Sequence, residues 1–464
     1  MKGRTAIAAA LVFFGAAAAH GQSVVIEGAT LIDGTGGAPL KNSAIVIDGS
    51  RITAVGAKGS VSYPAGATVI KADGLTALPG LIDAHIHSLN FFPQLFLHFG
   101  VTTVMDTANP TEWIIAQREA LKTGRIRGPR MFVTGDVIDA PDPAEDPRRA
   151  GYRRYVRTPD EARTTARALL KQGVDALKVY QHLTPDLLKP IVEEARKAGT
   201  EAVGHSRDAH EAIRAGLRFI EHSLPIAHAT LGDPGKAKAM DEGTLKDPEA
   251  DMDPARFGAV IDLMVRNGVF FNPTLTREFI TVLPKRARWH AEAAALLEQP
   301  DYRFIPAARR QFWLRTARTH SPSDPRRAEA ARKVQEFTRR YAQAGGRIIT
   351  GPDSGPSSGP ANMAGLAMHI EMEAFVDAGL TPMQAIQAST KWSAELLHKE
   401  QDLGTIAPGR IADIILIDGD PLADIRATRK IRTVVMSGTP VDTTLDPSFV
   451  NPIPRPVAEY EMDR

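Results

Sequence analysis

A helix-compatible segment, a glycine able to end it in the left-handed conformation, and a short β-rich apolar run recur in that order along the chain. Gly100 opens VTTVMD, Gly173 VDALKVY, Gly199 TEAVGHS, Gly216 LRFIEHS, Gly268 VFFNPTL and Gly346 RIITGPD. LPGLIDAHIH at Leu78 to His87 and PRMFVTGD at Pro129 to Asp136 bring the set to eight runs. Eight strands alternating with helices predict an α/β fold, a (β/α)8 TIM-like barrel whose functional side chains stand at the carboxyl ends of the strands.

The flanks read differently. Residues 23–77 hold short alternating runs broken by Gly and Asp, and a second such unit follows at 401–445. The first and last strands of a closed barrel are neighbours, so the two units are expected to combine in one small β-sandwich beside a barrel over 78–400. An Arg-rich, helix-like insertion is expected at about 278–344, read as solvated helices that could also roof the pocket. The Pro-rich tail 446–464 is expected to be loosely held.

Bulk properties exclude several roles. Lys+Arg 56 against Asp+Glu 54 leaves no global field to attract nucleic acid or anionic membrane. Cysteine is absent, so there is no disulfide framework and no thiol chemistry. MKGRTAIAAALVFFGAAAAHGQS joins early cations to an apolar stretch and small residues, the pattern of a secretory signal peptide over 1–22. Its apolar part is shorter than a spanning helix needs, so the expected product is periplasmic or secreted, with no membrane span after cleavage.

Candidate ligands end the apolar runs. His85 and His87 are two apart and so share a strand face, an arrangement suited to a zinc-like ion. Lys178 lies in DALKVY, where a buried ammonium must be paired, deprotonated or chemically changed. As a cation it cannot hold a metal, but carboxylation would make it an anion with two oxygens. The alternative is a lysine whose head reaches water or an acid. His205 and His222 end successive strands, and Asp353 follows RIITGP, where a carboxylate can hold a metal and accept a proton, or else cap a turn. His210, His228 and His369 fall in expected helices or loops and are not assigned to metal.

Taken together, LPGLIDAHIH, LKVY, HS with EHS, AGGRIITGPDSG, VDAGLTPMQAIQAST and LGTIAPGRIADIILIDGDPLADI resemble the amidohydrolase superfamily. The likeness is to its imidazolonepropionase-like and Xaa-Pro-dipeptidase-like members, which carry a lysine on strand four. The resemblance implies two divalent ions, usually zinc, bridged by N6-carboxylated Lys178 and a hydroxide. His85, His87 and Asp353 would hold one ion, and His205 with His222 the other. Asp353 would also carry the proton to the leaving amine. Tyr180 resembles a substrate-contacting tyrosine, with a core role as the alternative, and Arg207 is a candidate for a substrate carboxylate, with surface duty as the alternative.

The implied activity is hydrolysis of amide C–N bonds in dipeptides or N-acyl amino acids. Lactones, carbamates, ureas, phosphotriesters and a non-catalytic ligand-binding barrel remain alternatives. The expected partners are a small-molecule substrate and, as a homo-oligomer, further copies of the chain. One departure stands out: Gly351-Pro352-Asp353 replaces the usual Gly-Thr-Asp, and proline there is expected to reshape the strand end.

Overall fold

The computed structural model describes residues 23–141, 151–319 and 323–456. The expected signal peptide and the last residues of the tail lie outside that range. Among the described residues no helix is long and apolar enough to cross a membrane.

The barrel strands are β1 (Leu81–Ile86), β2 (Val101–Asp106), β3 (Arg130–Val133), β4 (Leu177–Val179), β5 (Ala202–Gly204), β6 (Phe219–Glu221), β7 (Phe270–Asn272) and β8 (Arg347–Ile348). Parallel ladders join β1 through β3 and β4 through β8. Backbone bonds close the ring: Asp175 N donates to Val133 O at 2.7 Å, and Ala84 N to Thr350 O at 3.2 Å. The expected (β/α)8 architecture is therefore the one observed.

Local chemistry explains the punctuation. In the helix Pro159–Gln172, Thr158 accepts a hydrogen bond from Glu161 N and Pro159 stands in the first turn; Gly173 ends the helix at φ 96°. Gly100, Gly199, Gly216 and Gly268 likewise have positive φ. At the last repeat the left-handed residue is Gly345 (φ 82°), one before the expected Gly346, which instead packs against the Tyr341 ring.

Inside the barrel each strand contributes to one apolar layer. Val203, Phe219 and Phe270 come from β5 to β7, Ala176 and Ile349 directly adjoin β4 and β8, and Ala84, Met105 and Phe132 come from β1 to β3. Strand side chains alternate with period two, so the next inward residues on β4 to β6 are Lys178, His205 and Glu221. A polar layer thus stands on an apolar floor, at the carboxyl ends of the strands.

Two further sheets flank the barrel. One has four strands, in the order 51–57, 43–48, 24–27, 68–71. The other joins both ends of the chain: Ile414–Asp418 pairs antiparallel with Leu75–Pro79, and Ile431–Met436 and Thr439–Val441 extend it. Ile26, Ile45, Ile47, Ala77, Ile414 and Val435 fill the space between the two sheets.

The helical segment between β7 and β8 does more than present charge to solvent. Arg309 and Trp313, both fully buried, donate to the Pro356 and Ser358 carbonyls and so brace the loop after Asp353. The tail also departs from expectation. From 446 to 456 it is fastened to the barrel, Trp113 Nε1 donating to Ile453 O at 2.9 Å and Asn451 Nδ2 to Gln117 Oε1 at 2.9 Å. Its polar side chains find buried partners, which composition does not reveal.

Candidate metal centre and active site

Four histidines, Lys178, Glu221 and Asp353 meet over the apolar floor. His87 Nε2 lies 3.1 Å and His85 Nε2 3.6 Å from Asp353 Oδ1. His85 Nε2 and His205 Nε2 lie 3.7 and 3.6 Å from Glu221 Oε2, to which Lys178 Nζ also donates. The rings of His205 and His222 are 4.5 Å apart, and Tyr180 stacks on His205 at 4.1 Å. All six expected ligands are brought together.

Alternation alone would turn His222 away, because Glu221 already points inward. His222 instead adopts φ 63°, and Asp353 (φ 55°) and Thr274 (φ 46°) share this unfavourable left-handed region. Three strained residues at one end of the barrel mark a site held in place by its surroundings. Thr274 Oγ1 at 2.8 Å and Glu278 Oε1 at 3.3 Å engage His222 Nδ1. Glu278 thereby pulls the imidazole's pKa up against the opposing effect of burial.

Around Asp353, the Pro352 carbonyl accepts from Asn362 Nδ2 at 2.7 Å, and Gly351 O from Asn272 Nδ2 at 2.9 Å. Burial opposes ionisation of Asp353, but His85, His87 and Arg277 hold its pKa well below the usual carboxylate range. Burial pushes His85 and His205 well below the usual imidazole range, which leaves both rings neutral and able to ligate.

The donor set fits a cation. His87 Nδ1 lies 3.3 Å from Ala108 O, an acceptor, so that nitrogen carries a proton and Nε2 is the atom turned to Asp353. Burial lowers the His87 pKa but the Asp353 carboxylate more than offsets it, so a positive charge, a proton or a metal ion, is favoured between Nε2 and Oδ1 at 3.1 Å. His85 Nε2 and Glu221 Oε1 are buried without a hydrogen-bond partner. Two sets of ligand atoms lie within 4.8 Å of one another: His85, His87 and Asp353; and His85, Glu221 and His222.

A cavity of about 160 Å³ opens onto these groups, its wall including Tyr180, Arg153, Arg277 and Arg455. Arg277 Nε lies 3.2 Å from Asp353 Oδ2, and its Nη2 donates to Ser357 at 2.8 Å. Arg153 sits over the Tyr180 ring at 4.3 Å and meets Asp139 at 3.2 Å. Arg207 is not in this wall. It faces Asp241 at 3.7 Å, half exposed, beside a separate depression.

Glu221 and the cavity arginines were missed in the sequence. Glu221 was legible in principle, since it stands two residues beyond the floor residue Phe219. Arg277, Arg153 and Arg455 lie in connections whose paths no periodicity encodes.

The model of the amidohydrolase family matches residues 94–441. The chain belongs to the amidohydrolase family. A likeness of 24% identity over 448 residues links it to an adenine deaminase of Rubrobacter xylanophilus, covering 93% of this chain and 61% of the deaminase. The chain thus spans less than two thirds of that relative's length. Among solved structures, a putative prolidase from Bifidobacterium longum is similar at a TM-score of 0.66 and 22% identity, covering 90% of this chain and 94% of the other. A molinate hydrolase is similar at a TM-score of 0.68 and 22% identity, covering 91% and 95%. At this identity both likenesses bear on the fold.

Proposed function

We propose that this amidohydrolase is an exported, binuclear metal-dependent hydrolase of amide C–N bonds, acting on dipeptides or N-acyl amino acids. The observation that carries the reading is the convergence of His85, His87 and Asp353, with His87 Nε2 and Asp353 Oδ1 3.1 Å apart and all three groups able to hold one cation. The family match supports the reaction class.

Under this reading His85, His87 and Asp353 would hold one divalent ion, zinc being the best fit to the nitrogen and oxygen donors, and His205 and His222 would hold the second. Lys178, once carboxylated, would be a ligand to both. Such a pair of ions supplies a Lewis acid for the scissile carbonyl and a water of lowered pKa. The chain's own groups do the rest. Asp353, kept ionised by Arg277 and the histidines beside it, accepts the proton of the attacking water and delivers it to the departing amine. Arg277 fixes the Asp353 carboxylate through Oδ2, leaving Oδ1 directed at His85 and His87. Tyr180, stacked on His205, offers its hydroxyl to substrate within the cavity.

Metal analysis of the purified protein, with activity on a panel of dipeptides and N-acyl amino acids, tests the reading. About two divalent ions per chain and turnover that disappears in Lys178→Ala and Asp353→Ala are expected. Full activity in both variants, or a protein that binds no divalent metal, overturns it.

A further inference from the structure

The helix Leu366–Asp377 carries two buried acids, Glu371 and Glu373, whose surroundings differ. Glu373 faces cations: Lys285 Nζ lies 3.0 Å and Arg429 Nη2 3.2 Å away, with Arg288 beside them. Burial opposes its ionisation, but Trp289, Lys285 and Arg288 lower its pKa. Glu371, fully buried, is bonded instead to one turn of another segment. Its Oε1 accepts from Leu275 N at 2.7 Å, and its Oε2 from Thr276 N at 2.9 Å and Thr276 Oγ1 at 2.5 Å. Burial pushes its carboxyl up to about 7, against these three hydrogen bonds, which favour the ionised form. An anion buried so deeply is costly, and the bonds to this turn offset the cost.

That turn follows β7 and starts the short helix Leu275–Phe279. Its N-cap, Thr274, makes no side-chain cap bond and stands at φ 46°, a conformation that β-branched residues avoid. The first N–H groups of a helix have no partner within it, so Glu371 supplies one from 96 positions later in the chain. The turn needs a restraint from outside, and this carboxylate provides it.

Three groups of the candidate centre ride on the same turn. Thr274 Oγ1 lies 2.8 Å and Glu278 Oε1 3.3 Å from His222 Nδ1, while Arg277 Nε lies 3.2 Å from Asp353 Oδ2. One buried carboxylate thus fixes the backbone behind the partners of two candidate ligands, His222 and Asp353.

We propose that Glu371 is a positioning residue for both halves of the centre, holding the turn so that Arg277 meets Asp353 while Thr274 and Glu278 meet His222. This rests on the hydrolase reading above and adds a residue outside the cavity wall that acts through others. Loss of the restraint displaces Asp353 and His222 together, and such displacements slow the chemical step more than they weaken substrate binding.

The test uses the full chain with Glu371→Gln, which keeps the size and replaces one acceptor oxygen by an amide, and the milder Thr276→Val, which removes one of the three donors. Assays run at about pH 8, where Glu371 is ionised. At matched metal content Glu371→Gln lowers kcat on each cleaved dipeptide or N-acyl amino acid at least about tenfold, with KM within about twofold, and Thr276→Val lowers it less. Combining Glu371→Gln with Arg277→Met costs less than the product of the single losses, because both act through one turn. The cobalt-substituted variant shows shifted visible absorption bands, and in metal-free protein amide exchange across residues 275–278 rises at least about tenfold. Unchanged kcat, cobalt bands or exchange in a folded Glu371→Gln overturns the proposal even if its melting temperature falls, and multiplicative losses in the double variant do the same. If Glu371→Gln does not fold, Thr276→Val decides on the same readouts. If the wild type cleaves nothing in the panel, the hydrolase reading fails, and the cobalt bands and exchange still decide the role of Glu371; a wild type that takes up no cobalt overturns both.

Discussion

Lys178 and Glu221 form an ion pair at the base of the cavity, with side chains 1% and 0% exposed. The pair is the acid partner that a buried, unmodified lysine requires, and it constrains when modification can occur. A carbamate on Lys178 would place a second anion against Glu221 in a region shielded from water, a costly arrangement without nearby cations.

Carboxylation of Lys178 is therefore expected to depend on metal. With 13C-labelled bicarbonate, the carbamate resonance should appear in protein loaded with divalent metal and vanish after chelation. A carbamate that persists in metal-free protein would contradict this coupling.

Glu221→Gln should destabilise the metal-free protein by about 3–5 kcal/mol, because it leaves a buried ammonium without its counter-ion. Pairing it with Lys178→Met should recover most of the loss. Denaturant unfolding of the chelated single and double variants measures this; an additive double variant would show that the two groups are not coupled.

Asp353→Asn preserves the size of the side chain and removes its charge. A fall in kcat of roughly 10²–10⁴-fold is expected from the lost proton transfer. Steady-state kinetics at matched metal content checks it, and a change confined to KM would assign Asp353 to binding alone.

His369 lies away from the site, its ring nitrogens 2.9 Å from Thr428 Oγ1 and 2.9 Å from Phe99 O. Burial, reinforced by Arg429, lowers its pKa to about 3. The unfolded chain therefore takes up a proton near pH 6.5 that the folded chain refuses until about pH 3. The stability from this neutral histidine is complete above pH 6.5 and is lost as pH falls toward 3, by about 1.4 kcal/mol per pH unit. His369→Gln should flatten the stability profile between pH 6 and 4 by roughly that slope. An unchanged slope in denaturant unfolding would show that His369 does not carry it.

Much of the barrel was legible because its two signals are local. Helix-ending glycines and apolar runs follow from backbone sterics and burial, and they located all eight strands. The candidate ligands were found for the same reason: strand ends are where such a barrel exposes inward side chains. Glu221 was passed over because the histidine beside it drew the assignment, although strand alternation points Glu221 inward and turns His222 away. The tail was misjudged because the partners of Asn451, Ile453 and Arg455 lie more than 300 residues earlier in the chain.

By itself, then, the amino-acid order determined the repeating strand and helix units and which polar residues stand at their ends, since both depend on neighbours within a few positions. Tertiary structure decided which of those residues touch. It turned His222 inward through a left-handed backbone, paired Lys178 with Glu221, moved Arg207 out of the cavity wall and brought Arg455 into it. Each of these depends on where loops and strand ends meet in space, and packing between distant segments, not local conformational preference, selects that arrangement.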